Sequence, residues 1–196
     1  QGALISTTSF YPAKVLGAAG DGGAVFTNDE ALATRARQLS NHGRTTHYGH
    51  GLVGWNSRLD SFQAAFLNLS LPYLKTKIAS RQRSAAMYRE CLQSTQLQVI
   101  QAAPGFEENG YCNVCLIRDH EYKARLEAHL KSNGIGFGNI YPSPMSQQEG
   151  AAKHLVGKVG GENAATWCAS VLNLPLFPYM TDEEIERVIN LVNSFE

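Results

Sequence analysis

Lys14 stands between two stretches that read as strands, Ala3 to Phe10 and Ala24 to Thr27, and Ser9 lies five residues before it. A lysine in such a place has particular chemistry open to it. Its amine condenses with an aldehyde, and partial burial lowers its pKa enough to make it a nucleophile. A hydroxyl five residues earlier can reach a phosphate on the same ligand. The ordinary alternative is a loop lysine in solvent, the usual fate of a charged side chain. The glycine run from Gly17 to Gly23 has neither the G-K-[ST] of a phosphate loop nor the G-x-G-x-x-G of a dinucleotide site. Its expected job is a tight turn that presents Lys14.

Other reactive side chains gather downstream. Gly43 to Ser57 reads as a long polar loop holding His47, Tyr48, His50 and Asn56, and long loops in compact domains are usually functional or mobile. His42, His47 and His50 could suggest a metal site. No H-E-x-x-H or carboxylate pattern supports one, and no metal is expected. Cys112 and Cys115 form a C-x-x-C pair, but no second close pair follows and the surrounding residues read as a strand, so reduced cysteines near a core are expected. Reduced cysteines suit the cytosol.

The elements that must position these groups follow from pattern. Asn28-Asp29-Glu30 starts a helix with a capping residue and first-turn acids, Leu32, Ala36 and Leu39 share a face, and Gly43 ends it. A second helix is expected from Ser57, with Phe62, Ala65, Phe66 and Leu69 as its apolar stripe. Pro72 should kink or break it, and Leu74, Ile78, Ala85 and Tyr88 carry the period on to about Leu92. Lys75, Lys77, Arg81 and Arg83 read as a solvated face. Strands are expected at Leu97 to Ile100, Tyr111 to Ile117, Ile135 to Tyr141 and Val171 to Leu174, with helices over His120 to Asn133 and Glu162 to Ala169. Ser143 to Val159 reads as irregular. Thr181 to Glu184 is a capping box for a last helix that buries Ile185, Val188, Ile189, Val192 and Phe195. The mixture lacks a strict βαβ repeat, which indicates an α+β arrangement after Ser57.

Composition narrows the class. The 196 residues are 43% hydrophobic and 17% charged with zero net charge, an ordinary globular balance. No long basic run invites nucleic acid or a membrane surface, and no apolar stretch approaches the length of a membrane span. No signal peptide is visible. The first residue is Gln1, and the chain opens as a fragment would.

The run S-F-Y-P-A-K-V-L-G-A-A-G-D-G-G-A-V-F-T-N-D from Ser9 to Asp29 resembles the cofactor-lysine segment of the DegT/DnrJ/EryC1/StrS family. These are pyridoxal phosphate (PLP) enzymes that aminate keto groups on nucleotide-linked sugars. Three further blocks agree: His42-Gly43 through Tyr48, His50, Gly54, Asn56, Arg58-Leu59-Asp60 and Gln63-Ala64-Ala65; Tyr141-Pro142-Ser143-Pro144; and Leu172-Asn173-Leu174-Pro175 leading into Met180-Thr181. The likeness covers essentially the whole chain. It implies an α/β fold, the C-terminal portion of a fold type I PLP-dependent aminotransferase. Residues 1–57 would end the large PLP-binding domain and carry the lysine loop. Residues 58–196 would be the connecting helix and small α+β domain.

The resemblance also implies roles. Lys14 matches the lysine that forms the internal aldimine and shuttles a proton between cofactor and substrate carbons. Ser9 matches the serine that holds the PLP phosphate. Asn56 matches an asparagine that reaches the phosphate of the neighbouring subunit's cofactor, which implies a homodimer with shared active sites. Arg58 either grips a carboxylate or pairs with Asp60 at a helix start. Tyr141 either donates to a sugar or phosphate oxygen or is a strand-end aromatic in the core. Many members carry histidine where this chain has Ile140 and Ser146, positions that border the sugar site. The sequence looks closest to members acting on UDP-linked 3-keto-hexuronic acids, with glutamate as amino donor. The aspartate for the pyridinium nitrogen and the aromatic that stacks on the ring belong to the family's front half. Two other readings stand beside this one: a non-catalytic piece that acts as an association domain, and a generic α/β binding module with an incidental lysine.

Overall fold

The computed structural model describes residues 2–157 and 159–195. They form two compact units, Gln1–Lys75 and Thr76–Glu196, each built by its own local rules.

The first unit begins with an antiparallel pair, β1 (Ser6–Ser9) and β2 (Gly23–Phe26), in which Ser6 faces Phe26 and Ser9 faces Gly23. The strand expected over Ala3 to Phe10 is thus reduced to its central residues. Helix α1 (Glu30–Ser40) follows, capped by Asp29, whose carboxylate accepts the Leu32 N–H at 3.0 Å. Helix α2 (Ser61–Ser70) is capped by Asp60, which accepts the Gln63 N–H at 2.9 Å. It therefore starts later than the expected Ser57, whose backbone N–H is instead taken by Ser40 O at 2.9 Å. Of its apolar stripe Phe62 and Leu69 are 70% and 73% exposed in this chain, and Leu67 is the buried residue of α2. Pro72 sits in a 3-10 turn, Leu71–Tyr73, that separates α2 from α3 (Leu74–Cys91), at the break the sequence indicates.

The second unit is a three-stranded antiparallel sheet under two helices. After most of α3, its strands and α-helices in chain order are β3 (Gln98–Val99), β4 (Asn113–Leu116), α4 (His120–Ser132), α5 (Glu149–Ala152), α6 (Glu162–Ser170), β5 (Val171–Leu174) and α7 (Asp182–Asn193). The sheet order is β3-β4-β5, with Cys115 opposite Leu172 and Val114 opposite Asn173. Successive strand residues face opposite sides. Cys115, Leu172 and Leu174 accordingly enter one core with Tyr122, Leu126 and Leu130 of α4 and Ile185, Val188, Ile189 and Val192 of α7. The i, i+3, i+4, i+7 spacing in α7 aims one stripe inward. Its reciprocal capping box, Thr181 with Glu184, fixes where the helix begins. Phe195 packs against this core while partly buried, and the Cys115 thiol within it is pushed up to about 12 by desolvation.

Three expectations fail in this unit, the first being Ser143 to Val159, which is not irregular throughout but holds a 3-10 turn, Met145–Gln147, and α5. Arg81 is buried, not solvated: its Nη1 donates to the carbonyls of Gly110, Tyr111 and Leu176 at 3.1, 3.3 and 3.0 Å. Those oxygens need a donor that the short strands do not provide, and burial lowers the guanidinium's pKa. Ile135 to Tyr141 forms no strand either; a single bridge joins Gly138 to Asn173. Gly136 and Gly138 weaken the strand preference, and the Ile140 N–H goes to the Asn173 side chain instead of a strand backbone.

Candidate active site

The lysine loop is closed by backbone bonds at Phe10. The Phe10 N–H donates to Gly22 O at 2.8 Å, and Phe10 O accepts the Ala18 N–H at 2.7 Å. Inside this clasp the Lys14 N–H donates to Tyr11 O at 2.8 Å, making a turn over residues 11–14. Pro12 occupies the second position of that turn, where its fixed φ is favourable. Lys14 is half-buried. Ser9 closes β1, and its Oγ accepts the Tyr11 N–H at 3.2 Å. That geometry occupies an oxygen lone pair and leaves the hydroxyl hydrogen to donate to an anion.

Crowding bears hardest on Gly17, which meets backbone, and less on Gly20 and Gly22, which meet the ends of flexible side chains. A Cβ on Gly17 would lie 2.4 Å from Pro12 O, one on Gly20 2.9 Å from Gln63 Nε2, and one on Gly22 2.8 Å from Leu59 Cδ1. The run therefore lets the chain return past Pro12 and settle against the start of α2.

Asn56 and Arg58 come from a second clasp in the same unit. The Trp55 N–H donates to Leu39 O at 2.8 Å and the His42 N–H to Trp55 O at 2.8 Å, while Asn41 and Asn56 form an antiparallel bridge. Gly43, at φ 70°, makes the approach possible, because a Cβ there would sit 1.8 Å from Leu52 O. Arg58 Nη1 donates to Asn41 Oδ1 at 3.3 Å. Among the described residues no ion pair joins Arg58 to Asp60, whose carboxylate caps α2. Asn41 thus supports both Asn56 and Arg58. Sequence reasoning passed over it, although an asparagine at the helix end directly before His42-Gly43 was a signal.

Arg58 also lines a cleft of about 790 Å³ with Thr7, Thr8, Asp21, Arg37 and Ser40. Ser9, Lys14 and Asn56 do not line it. Tyr141 belongs to the second unit and is 71% exposed in this chain. Among the described residues no three His, Cys, Asp or Glu side chains come together as metal ligands, and no helix is long and apolar enough to cross a membrane.

Lys14 in its clasp and the Ser9 hydroxyl thus lie in a mixed α/β chain. Over residues 1–193 the sequence matches the profile of the DegT/DnrJ/EryC1/StrS aminotransferase family, and the chain belongs to that family. It is 38% identical over 187 residues to the UDP-2-acetamido-2-deoxy-3-oxo-D-glucuronate aminotransferase of Pseudomonas aeruginosa, a match covering 94% of this chain and 50% of the relative. The structure of DesV from S. venezuelae in complex with a ketimine intermediate superposes with a TM-score of 0.89 at 33% identity, covering 98% of this chain and 51% of that one. NtdA of Bacillus subtilis with bound PMP gives 0.87 at 26% identity, covering 97% and 45%. The chain spans about half the length of these relatives, and its mixed α/β fold is that of the C-terminal portion of PLP aminotransferases, the class the sequence indicates.

The residues present fit such a cofactor in their chemistry. Lys14 would offer an amine to an aldehyde, and Ser9 would offer a neutral hydroxyl donor to a phosphate.

Proposed function

We propose that the whole protein is a PLP-dependent aminotransferase that moves an amino group from glutamate to a keto group of a nucleotide-linked sugar. A UDP-linked 3-keto-hexuronic acid is the proposed acceptor, supported by the likeness to the UDP-2-acetamido-2-deoxy-3-oxo-D-glucuronate aminotransferase of Pseudomonas aeruginosa. The observation that carries the reading is the clasp that fixes a half-buried Lys14 just after a serine with a hydroxyl hydrogen to give.

The cofactor, when bound, supplies the electron sink that makes the substrate's α-proton acidic. The rest is the work of this chain. The Lys14 amine would hold the cofactor through its aldehyde, and at Nζ it would carry a proton as general acid and base. Ser9 Oγ donates to a phosphate oxygen. Asn56, through its amide donor, reaches the phosphate held by a second subunit, so the working form is a homodimer. Arg58 grips a carboxylate on the donor or the sugar acid through its fork of donors, oriented by Asn41. Tyr141 donates to a sugar or phosphate oxygen. The large domain ends near residue 57 and the small domain follows. The enzyme acts in the cytoplasm, where nucleotide sugars and glutamate are at hand.

The test is Lys14→Ala in the full-length protein. It abolishes turnover of keto-sugar nucleotide with glutamate and leaves circular dichroism unchanged. Persistent turnover in a folded Lys14→Ala protein refutes the assignment.

A further inference from the structure

We infer that Asn173 is a positioning residue that sets the placement of Tyr141 toward the acceptor sugar. This rests on the proposed role of Tyr141 as a substrate donor.

The inference begins with an anomaly in β5. All four residues of Val171–Leu174 are buried, and one of them is polar. An asparagine inside a buried strand costs stability unless its amide is used. The core does not use it, because Leu172 and Leu174 face the helices while Asn173 and its neighbour across the ladder, Val114, face the other side of the sheet. Asn173 is instead spent on the segment that leads to Tyr141. Its backbone exchanges two bonds with Gly138, Gly138 N–H to Asn173 O at 3.0 Å and Asn173 N–H to Gly138 O at 2.6 Å. Its side-chain Oδ1 then accepts the Ile140 N–H at 3.0 Å. Three bonds from one residue therefore hold residues 138–140, and Tyr141 is next.

A second tether comes from α4. Asn139 Nδ2 donates to Glu127 Oε1 at 3.1 Å, and Lys123 Nζ reaches the same oxygen at 3.2 Å. The segment is thus pinned from both sides, although it has no strand ladder of its own. Tyr141 itself is 71% exposed, so its position depends on the backbone before it. The choice of asparagine fits this task. Leucine or valine would suit a buried strand better but could not take an N–H two residues past the last backbone bridge.

The buried Nδ2 of Asn173 has no protein partner among the described residues. Because the position is buried, an aspartate there is driven toward its neutral form, which keeps an acceptor for Ile140 at some cost in stability. It therefore serves as the conservative replacement.

The experiment uses the full-length enzyme and four variants: Asn173→Ala, Asn173→Asp, Tyr141→Phe and the Asn173→Ala/Tyr141→Phe double variant. KM and kcat are measured for a keto-sugar nucleotide, together with the rate of the half-reaction with glutamate alone. Asn173→Ala raises the KM for the sugar nucleotide by about fivefold to tenfold, the size expected for one well-placed hydrogen bond, and leaves the glutamate half-reaction unchanged. Asn173→Asp recovers most of that loss. Asn173→Ala adds nothing once Tyr141 is phenylalanine. If Tyr141→Phe raises KM but Asn173→Ala does not, or if the two losses simply add, the positioning role is overturned while the role of Tyr141 stands. If Tyr141→Phe itself has no effect, the substrate role of Tyr141 fails and takes the inference with it. If Asn173→Ala does not fold, Asn173→Asp decides: a KM near the parent's supports the inference, and a loss as large as that of Tyr141→Phe overturns it.

Discussion

Replacing Gly17 by alanine puts the geometry of the lysine loop to a quantitative test. The added Cβ would lie 2.4 Å from Pro12 O, 2.8 Å from Pro12 C and 3.0 Å from Pro12 Cα. All three atoms are backbone, so no side chain can swing aside. Ordinary contact begins at 3.4 Å, and the chain must move by about 1 Å to accept the methyl group. Pro12 lies in the turn that carries Lys14, so the displacement falls on the amine. Overpacking of this kind costs about 1–3 kcal/mol of stability, which a domain of ordinary stability survives. A misplacement of about 1 Å at a reacting group lowers kcat by about a hundredfold. The assay is steady-state turnover in the full-length protein beside thermal denaturation. Gly150→Ala is the control, since nothing lies within 4 Å of its added Cβ. A Gly17→Ala protein that folds and keeps kcat within about threefold of the parent, well short of the expected loss, refutes the claim that the glycine run exists to seat Lys14.

Three other outcomes are expected. Ser9→Ala weakens PLP binding by about tenfold, the loss of one donor to an anion, read by spectroscopic titration; unchanged affinity removes Ser9 from the site. Arg81→Met takes their donor from the carbonyl oxygens of Gly110, Tyr111 and Leu176 and destabilises the second unit by about 1–3 kcal/mol, seen as a lower Tm; an unchanged Tm contradicts the strap. Burial raises the Cys115 thiol from 9.0 to about 12 and raises the Tyr88 hydroxyl as well. Above about pH 9 the unfolded chain then loses protons that the folded chain keeps, so stability falls as pH rises. Denaturant midpoints at about pH 8 and about pH 10.5 reveal the slope, and Cys115→Ala makes it shallower; a flat profile contradicts the burial argument.

Much of the fold was legible because local rules and tertiary packing agreed. The 4-residue spacing of Tyr122, Leu126 and Leu130 and the capping box at Thr181 each announced a helix that the core then required. Elsewhere a pattern named a property but not its partner. Phe62 and Leu69 do make an apolar stripe, yet the unit buries Leu67, because periodicity says that a face is apolar and not what covers it. Arg81 looked like one cation among several. Only the unladdered carbonyls of Gly110, Tyr111 and Leu176, distant in sequence, explain its burial. At the candidate site Lys14 and Ser9 drew attention by type and spacing, and Asn56 and Arg58 through the family resemblance, whereas Asn41 and Asn173 act on partners they meet only in the folded chain.

The central claim is that one amine, at Lys14, links to an aldehyde cofactor. Borohydride reduction of the full-length protein loaded with PLP, followed by peptide mass mapping, tests it most directly. The account predicts a single phosphopyridoxyl group on the peptide containing Lys14 and none in Lys14→Ala; label on another lysine, or on none, would contradict it.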